Sequence, residues 1–578
     1  MAGGNELLVL SGGVTVSTTI LSGGVETLSS GARARGVTVS YGGSLVGTGE
    51  VIGSSTVYGA INDVAVAGTA WVSGAATDLT IRDGGVLVIW SGGTATGDMI
   101  SSGGQYLVFS GAHASADIVE SGGAELLNSG AVAKGGVVSS GGIEILNAGA
   151  IARGQVVRSG GALFFDQSVS SGQTLTDAGS VSRTFTLDGV TLSRGATLFL
   201  QLTTVLSGGT VSLTGDAPAA SLTISAGGSL VGPGTVVSVS DYGSVSGVAL
   251  PIGSLLVQSG GQAMGDIVHA AGVEYVSSRG VVDGEAIQSG GRAIVEADGL
   301  SVGAVVTSSG SLRISAHGLA SKTLLEGGSE TILSGGVARQ SLLSAGYEFD
   351  YGQAVGTVIR SGGYQIIEAR GVALNTVIGS GGHQVVSSGG AAAATKISAG
   401  GTLTISAGGA VSGGLTIQGG EAVISGAIAA AQVVSFIGAS GVLAIDNLAG
   451  FQAQISGLSG AAREIDLGGF ALSSGEHLSW VQAGTSGTLT VIDDAKNASL
   501  TLLGSYAAGD FHLATDGHGG TFVSEAGVTT ALRPSAGRFA EAMAGFRGSS
   551  TLPGVAQIER GGSALTASPL LTATTSGR

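Results

Sequence analysis

Several residue types are absent or scarce in this chain of 578 residues. Cysteine is missing, which excludes disulfides and thiolate metal sites. Lys and Arg together number 23 against 39 Asp and Glu, so the formal charge is −16. This balance disfavours nucleic acid and anionic lipid as partners. No uninterrupted apolar run reaches about 18 residues, so the sequence predicts no membrane-spanning segment.

Glycine and aliphatic residues dominate what remains. Glycine accounts for 108 residues, while hydrophobic residues reach 43% and charged residues only 11%. A chain this apolar can bury a core, which argues against disorder. Its short Val, Ile and Leu runs favour strands over helices.

A regular repeat organises the chain. Ser-Gly-Gly triplets begin at Ser102, Ser121, Ser140 and Ser159, a 19-residue step that related corners continue beyond residue 400. One such unit cannot bury its own apolar face, but units stacked as coils can. Glycine suits the corners because tight corners often need a positive φ. The sequence therefore predicts a β-solenoid with one coil for each repeat, or about 19 residues per coil.

Apolar residues recur four positions after the second glycine and predict an inward-facing column. Its members are Leu28, Val108, Leu127, Leu146, Phe165, Val276, Val295, Ile332, Ile367, Val386 and Ile405.

The repeats also resemble a known family. The unit SGG-x-E-x-L-x-SGA-x-A-x-G-x-x-V, clearest in residues 121–138 and 140–157, resembles the repeats of self-associating autotransporter passengers, the diffuse-adherence and autoaggregation adhesins of Gram-negative bacteria. The resemblance covers about residues 2–430. It implies a single-stranded right-handed β-helix at the cell surface that mediates aggregation, biofilm formation or adhesion. It also implies glycosylation of Ser or Thr by a dedicated enzyme in some members.

The two ends of the chain differ from that family. The N-terminal sequence MAGGNELLVLSGG lacks a basic segment followed by a long apolar run. Three interpretations stay open: the protein stays inside the cell, it is exported through another signal, or its leader lies outside this chain. The strands of a large C-terminal membrane barrel are not recognisable either. The expected location is extracellular or at the cell surface.

The 19-residue step fades after about residue 430, so we predict three regions. Residues 1–430 form the solenoid, and residues 431–530 form a β-rich C-terminal cap that covers its last coil. Hairpin turns are expected at Asp493-Asp494 and at Gly517–Gly520. Residues 531–578 form a short helix starting near Arg533 and a mobile tail, which is a candidate export signal.

Repeated carboxylates raise the possibility of catalysis. Glu26, Glu125, Glu144, Glu274, Glu330, Glu348, Gln365 and Gln384 recur two positions after the corner. Neighbouring members such as Glu125 and Glu144 would lie about 5 Å apart, near the separation in a retaining glycosidase. A column that recurs along the fold is more typical of structure than of an active site. A regular strand would put the Glu and the apolar residue two positions later on the same face, so we expect either a bend between them or a Glu at the rim of the core, and the sequence leaves both open.

No other motif predicts chemistry. The seven histidines show no metal-ligand spacing, and His512, Asp516 and His518 are close in sequence but fall at an expected turn. We expect no catalytic, metal or cofactor-binding residues and no cofactor. Exposed Ser and Thr at the corners are possible O-glycan acceptors, although Ser also simply favours turns.

The sequence predicts a non-enzymatic secreted or surface adhesin. Its expected partners are other copies of itself, side by side or end to end, host or bacterial surface glycans, and an O-glycosylating enzyme. One alternative is an extracellular scaffold that forms filaments. A second is a polysaccharide-cleaving β-helix enzyme.

Overall fold

The computed structural model describes residues 4–82, 84–214, 219–460, 462–472, 476–493 and 496–525. All of these described residues belong to one compact unit. The helix expected from Arg533 and the tail after it lie outside the described residues. The predicted boundary near residue 430 stays a prediction.

Each regular coil contains three short strands and three corners. In the coil that starts at Ser102, the strands are Gln105–Val108, His113–Ser115 and Ile118–Val119. Every strand pairs in parallel with the equivalent strand of the next coil, as Gln105 does with Ala124. The predicted β-solenoid is confirmed, with stacked coils of about 19 residues. Its right-handedness stays a prediction.

Over residues 6–200 the three faces of the solenoid form three mainly parallel sheets, and Phe185–Leu187 joins the end of the second sheet in an antiparallel pairing. The first sheet contains Glu6–Val9, Val25–Leu28, Ser44–Val46, Ala60–Asn62, Ala75–Thr77, Thr94–Thr96, His113–Ser115, Val132–Lys134 and Ile151–Arg153. The second contains Val14–Val16, Arg33–Arg35, Glu50–Ile52, Ala65–Val66, Thr80–Ile81, Met99–Ile100, Ile118–Val119, Val137–Val138, Gln155–Val157, Val190–Leu192 and Phe185–Leu187. The third begins with Thr19–Ile20, Thr38–Val39, Ser54–Val57, Thr69–Val72, Val86–Ile89, Gln105–Val108, Ala124–Leu127, Ile143–Leu146, Ala162–Phe165 and Thr197–Leu200.

The remaining strands continue the stack to residue 467. They are Ser168–Val169, Thr174–Ser180, Thr204–Val205, Thr210–Thr214, Leu222–Ile224, Ser229–Val231, Ser238–Asp241, Ser244–Ser246, Ala249–Val257, Gln262–Met264, Ile267–Val276, Val281–Asp283, Ala286–Ile287, Arg292–Val295, Leu300–Val302, Val305–Thr307, Ser311–Ile314, Leu319–Ser321, Leu324–Ile332, Val337–Arg339, Leu342–Asp350, Gln353–Val355, Val358–Ile359, Gly363–Ile367, Val372–Leu374, Val377–Ile378, His383–Val386, Ala391–Ser398, Thr402–Ile405, Ala410–Gln418, Glu421–Ile424, Ala427–Ile428, Val433–Phe436, Gly441–Ile445, Gln454–Ser456 and Arg463–Leu467.

Both glycines of the Ser-Gly-Gly corner are required, for different reasons. Gly141 has a φ of 77°, and a Cβ there would lie 2.5 Å from the Ser121 Oγ of the preceding coil. A Cβ at Gly142 would lie 2.7 Å from the Val119 carbonyl oxygen. The corner backbones also bond to one another, since the Gly122 N–H donates to the Gly141 carbonyl at 2.9 Å. Close stacking of coils therefore excludes side chains at both positions.

Coil length varies in several places, two of which lie in the first 200 residues. Ser44 pairs in register with Ala60, and Ala60 pairs with Ala75, so these two coils are shorter than the regular coil. They move the strand after the double-glycine corner from the first sheet to the third. Ala162 pairs with Thr197, because that coil contains an insertion with the antiparallel pair Phe185–Leu187 and Val190–Leu192.

Antiparallel hairpins follow the last parallel coils. They contain His477–Ala483, Ser486–Asp493, Lys496–Leu503, Phe511–Thr515 and Thr521–Glu525, with a 3-10 helix at Ala508–Asp510. Asp493 pairs with Lys496 and Thr515 with Thr521, so hairpins occur at both expected turns. Thr521–Glu525 runs antiparallel to Arg463–Leu467, and Lys496–Leu503 continues the sheet from Gln454–Ser456. The parallel register of the solenoid therefore ends in these hairpins.

Candidate functional site

The repeated Glu and Gln residues point directly into the core. Glu144 and Leu146 are both fully buried, while Ile143 and Ile145, which alternate with them, face outward. The strand is regular, so the polar column and the apolar column share one inward face. All eight members of the polar column, from Glu26 to Gln384, are buried. The bend considered from the sequence does not occur.

A second buried polar column follows the third corner of many coils, and sequence reasoning missed it. Asp98 and Asp117 come directly after Gly97 and Ala116, which have φ values of 73° and 58°. The Asp117 Oδ1 accepts the Asp98 N–H at 3.0 Å, which fastens one coil to the next. Later members of this column are Asp266, Glu285, Thr323, Ser341, Thr357, Thr376 and Thr395. The regular spacing of Thr357, Thr376 and Thr395 was the signal that could have revealed it.

In residues 357–395 the two polar columns are joined by hydrogen bonds between uncharged side chains, and we call this set the amide column. Its members are Thr357, Gln365, Thr376, Gln384 and Thr395. Thr376 Oγ1 donates to Gln365 Oε1 at 3.1 Å, and Gln384 Nε2 donates to the same oxygen at 2.7 Å. Thr395 Oγ1 repeats the pattern on Gln384 Oε1 at 3.1 Å. Gln365 Nε2 donates to the carboxyl oxygens Glu348 Oε1 and Asp350 Oδ2, so acidic side chains occupy the preceding coil.

In residues 98–144 the same positions are carboxyl groups; we call Asp98, Asp117, Glu125 and Glu144 the acid column. Neither oxygen of Glu144 has a hydrogen-bond partner among the described residues. Burial raises the pKa of Asp98 to about 8, and the pKa values of Asp117 and Glu144 to about 7. Burial, reinforced by the charge of Glu144, also holds the pKa of Glu125 well above its usual range. These groups therefore retain protons at pH values where exposed carboxyls have lost them.

A similar acidic set lies in residues 241–285. Burial raises the pKa of Asp241 to about 6, and those of Asp266 and Glu285 to about 7. Ser301 Oγ donates to Glu285 Oε1 at 2.8 Å, whereas neither oxygen of Glu274 has a partner in the described part of the chain.

Much of the acidity therefore lies inside the solenoid. At least fifteen of the 39 acidic residues are buried: Glu26, Asp98, Asp117, Glu125, Glu144, Asp241, Asp266, Glu274, Glu285, Glu330, Glu348, Asp350, Glu464, Asp466 and Asp516. A polysaccharide cannot reach the Glu125 and Glu144 pair, which is 1% and 0% exposed. The geometry gives no support for cleavage by these two carboxyls.

The short segment around His518 is a turn. The Asp516 Oδ1 accepts the backbone N–H groups of His518 and Gly520 at 2.7 and 2.8 Å, so this oxygen closes the hairpin. Within the described ranges, no three His, Asp or Glu side chains are arranged to hold a metal ion. The described helical structure also contains no helix that is long and apolar enough to cross a membrane.

Outside the core, one face of the third sheet is almost free of charge. Its central line, which we call the apolar column, pairs in register across seven coils: Trp71, Val88, Leu107, Leu126, Ile145, Phe164 and Phe199. Val88 and Leu107 are themselves buried, whereas the other five are partly exposed. Two flanking lines complete what we call the apolar face: Thr69, Val86, Gln105, Ala124, Ile143, Ala162 and Thr197 on one side, and Ser73, Trp90, Phe109, Asn128, Asn147, Asp166 and Gln201 on the other. Among these described positions, Asp166 alone carries a charge. The spacing of Leu107, Leu126, Ile145 and Phe164 was visible in the sequence, but sequence reasoning did not examine this outward line.

Aromatic rings on this face stack along the solenoid. The ring centroids of Trp90 and Phe109 are 4.5 Å apart and those of Trp71 and Trp90 are 5.9 Å apart, with nearly parallel planes. Phe164 and Phe199 stack in the same way at 4.5 Å. Because the stacking direction follows the coil spacing, the ring edges rather than the ring faces point outward.

Charged residues occur further along the solenoid, on strands whose pairing traces back to Thr204–Val205 rather than to the third sheet. The outward positions there include Arg292, Glu296 and Arg313. On the first sheet, Lys134 and Arg153 are outward neighbours in adjacent coils.

Part of the chain matches a known protein family. Residues 343–401 match the family described as "Adhesin of bacterial autotransporter system, probable stalk", and they contain the amide column. No curated protein sequence matches the chain.

Two solved structures are similar in part. A hyperglycosylated fragment of TibA, modified by TibC, shares 26% identity, with 59% of this chain and 100% of that fragment covered and a TM-score of 0.28. A tailspike protein of E. coli bacteriophage HK620 shares 10% identity, with 89% and 84% covered and a TM-score of 0.12. At these TM-scores neither likeness carries an argument.

The stalk match concerns adhesins rather than enzymes, and it supports an adhesin role in general. It implies an extracellular or cell-surface location. The resemblance to autotransporter adhesin passengers that the repeats indicated is therefore confirmed, on the stalk segment of residues 343–401.

Proposed function

We propose that this chain is a non-enzymatic surface adhesin that joins cells through contacts between its own solenoids, and so supports aggregation and biofilm formation. One observation carries the proposal: equivalent outward positions repeat in register on successive coils, as from Leu126 to Phe164. A weak contact made by one coil is then repeated by its neighbours, and the sum holds two surfaces together.

Mixing experiments with displayed protein test this proposal. The full chain is displayed on a bacterium that does not aggregate, and those cells are mixed with differently labelled cells without it. Self-association predicts clumps that contain displaying cells only. Clumps that incorporate both cell types equally would instead indicate a surface glycan as the partner. Displaying cells that stay dispersed would contradict the proposal.

A filament-forming scaffold is the other candidate, and one observation weakens it. Among the described strands after residue 467, only Lys496–Leu503 still pairs in parallel with the solenoid, and its other edge is taken by the antiparallel strand Ser486–Asp493, so these strands weaken the case for a further coil stacking there. Electron microscopy of the purified protein over a range of concentrations separates the two functions. Long filaments that form without cells would favour the scaffold.

We also propose that the corner serines accept O-glycans from a dedicated enzyme. The TibA fragment is hyperglycosylated by TibC, and the proposal for this chain rests on its own corners. Ser121 and Ser140 are exposed, and each faces a glycine of the next coil that lacks a Cβ. The hydroxyls are therefore not covered by neighbouring side chains. Peptide mass mapping of protein from its native cells checks this, and unmodified corner peptides would contradict it.

A further inference from the structure

We propose that two copies of this chain pack side by side through the apolar face of residues 69–201, sheet against sheet. The inference deepens the proposed function and rests on it for its biological meaning. It names the surface that self-association uses, and it gives that surface one partner, the same face of a second copy.

Charge favours a second copy as the partner. With Asp166 as the only charged residue among the described positions of the face, two copies meet there without like-charge repulsion. Repulsion elsewhere is also weaker than the formal charge of −16 suggests, because many acids lie inside the solenoid. The face has no Lys or Arg to attract an anionic membrane or an acidic protein.

The spacing of the face also favours an identical partner. Its side chains form rows that repeat at the strand spacing of about 4.8 Å, and only a surface with the same repeat keeps such rows in phase over seven coils. Identical rows can then interdigitate as a dry contact between two sheets about 10 Å apart.

The area is sufficient for a specific contact. Seven coils at about 4.8 Å and strands of about five residues at about 3.3 Å give roughly 500 Å² on each copy. The total of about 1,000 Å² reaches the lower limit for specific protein interfaces. Such a contact is modest alone and becomes strong when many copies are displayed on one cell.

The aromatic stacks argue against a glycan on this face. Sugars bind proteins by stacking on the flat faces of aromatic rings, but Trp71, Trp90 and Phe109 cover one another's faces. Their outward edges suit packing against other apolar side chains.

A charge placed on the face provides the first test. Leu126→Glu is compared with Val137→Glu, which alters an outward apolar residue of the same coil on the second sheet. Both are purified as full chains, checked by circular dichroism and thermal melting, and measured by sedimentation equilibrium. We expect a wild-type dimer that Leu126→Glu weakens about tenfold or more, since a buried unpaired charge is costly, with no change from Val137→Glu. Equal weakening by both variants, or a monomeric wild type, would overturn the inference.

Cross-linking gives a second test that does not depend on a disruptive residue. The chain has no cysteine, so Leu126→Cys and Val137→Cys each introduce one thiol. A short bismaleimide should couple two copies of Leu126→Cys and leave Val137→Cys uncoupled. Equal coupling at both sites would contradict the proposed face.

The two levels of the proposal fail differently. Displaying cells that aggregate as strongly with Leu126→Glu as with the wild type would keep the proposed function and reject the face. A purified protein that dimerises through the face while displaying cells stay dispersed would keep the face and reject the proposed function.

Discussion

The acid column of residues 98–144 and the amide column of residues 357–395 occupy equivalent positions in the same fold. In the amide column, each Gln both donates and accepts, and Thr hydroxyls complete the set. In the acid column, the carboxyls repel one another when ionised, and Glu144 has no partner among the described residues. The comparison shows that a solenoid can bury polar groups in two ways, by mutual hydrogen bonding or by keeping acids protonated.

Raising the pH should produce the largest difference in stability between the acid column and the amide column. The folded-state pKa values near 7 to 8 in the acid column exceed the unfolded values near 4. At pH values between these two limits, the folded chain therefore binds more protons than the unfolded chain. The stabilisation is complete below about pH 4 and is lost as the pH rises towards 8. The loss is on the order of several kcal/mol across the column, at about 1.36 kcal/mol per pKa unit.

Hydrogen exchange measured peptide by peptide at several pH values checks this, after correction for intrinsic exchange rates. Protection should fall in residues 98–144 above pH 7 and change little in residues 365–395. Uniform behaviour along the solenoid would contradict the comparison.

Exchanging an acid for an amide, or an amide for an acid, should exchange the pH dependence of local stability between the two columns. This is the next largest expected effect. Glu125→Gln removes an acid that must stay protonated, so at pH 8 it should stabilise its coils by about 1–3 kcal/mol. It should have little benefit at pH 4. Gln365→Glu is the matched reverse change and should destabilise its coils at pH 8, because Gln365 Nε2 donates to Glu348 and Asp350. Local hydrogen exchange measures both, and effects of the same sign would refute the reasoning.

Removing one hydroxyl from the amide column should have the smallest effect. Thr376→Val deletes the donor to Gln365 Oε1, and the expected loss is about 1 kcal/mol at every pH. Thr402→Val, on an outward position of a neighbouring coil, is the control and should change little. Denaturant dependence of exchange in residues 357–405 gives the measurement. A strong pH dependence of the Thr376→Val effect would be unexpected.

The sequence alone determined the coil length, the double-glycine corners and the inward apolar column. Each depends on local chemistry that repeats: Gly141 must have a positive φ, and Leu146 must leave water. The repeated Glu residues were also visible, but their location was not. A strand places Glu144 and Leu146 on one face, and only the stacked coils show that this face is sealed on every side.

The tertiary structure decided which residues meet. Thr376 and Gln365 are 11 residues apart, and the path between them passes two corners, so no local rule pairs them. The third corner has a positive φ at Ala116 as it does at Gly97 and Gly135, so the residue type alone does not mark this corner in every coil. The apolar face likewise exists only because parallel pairing brings one residue from each of seven coils into line. The repeat in the sequence determined the coil. Contacts between coils depend on the register in which the strands pair, and that register exists only once the coils are stacked.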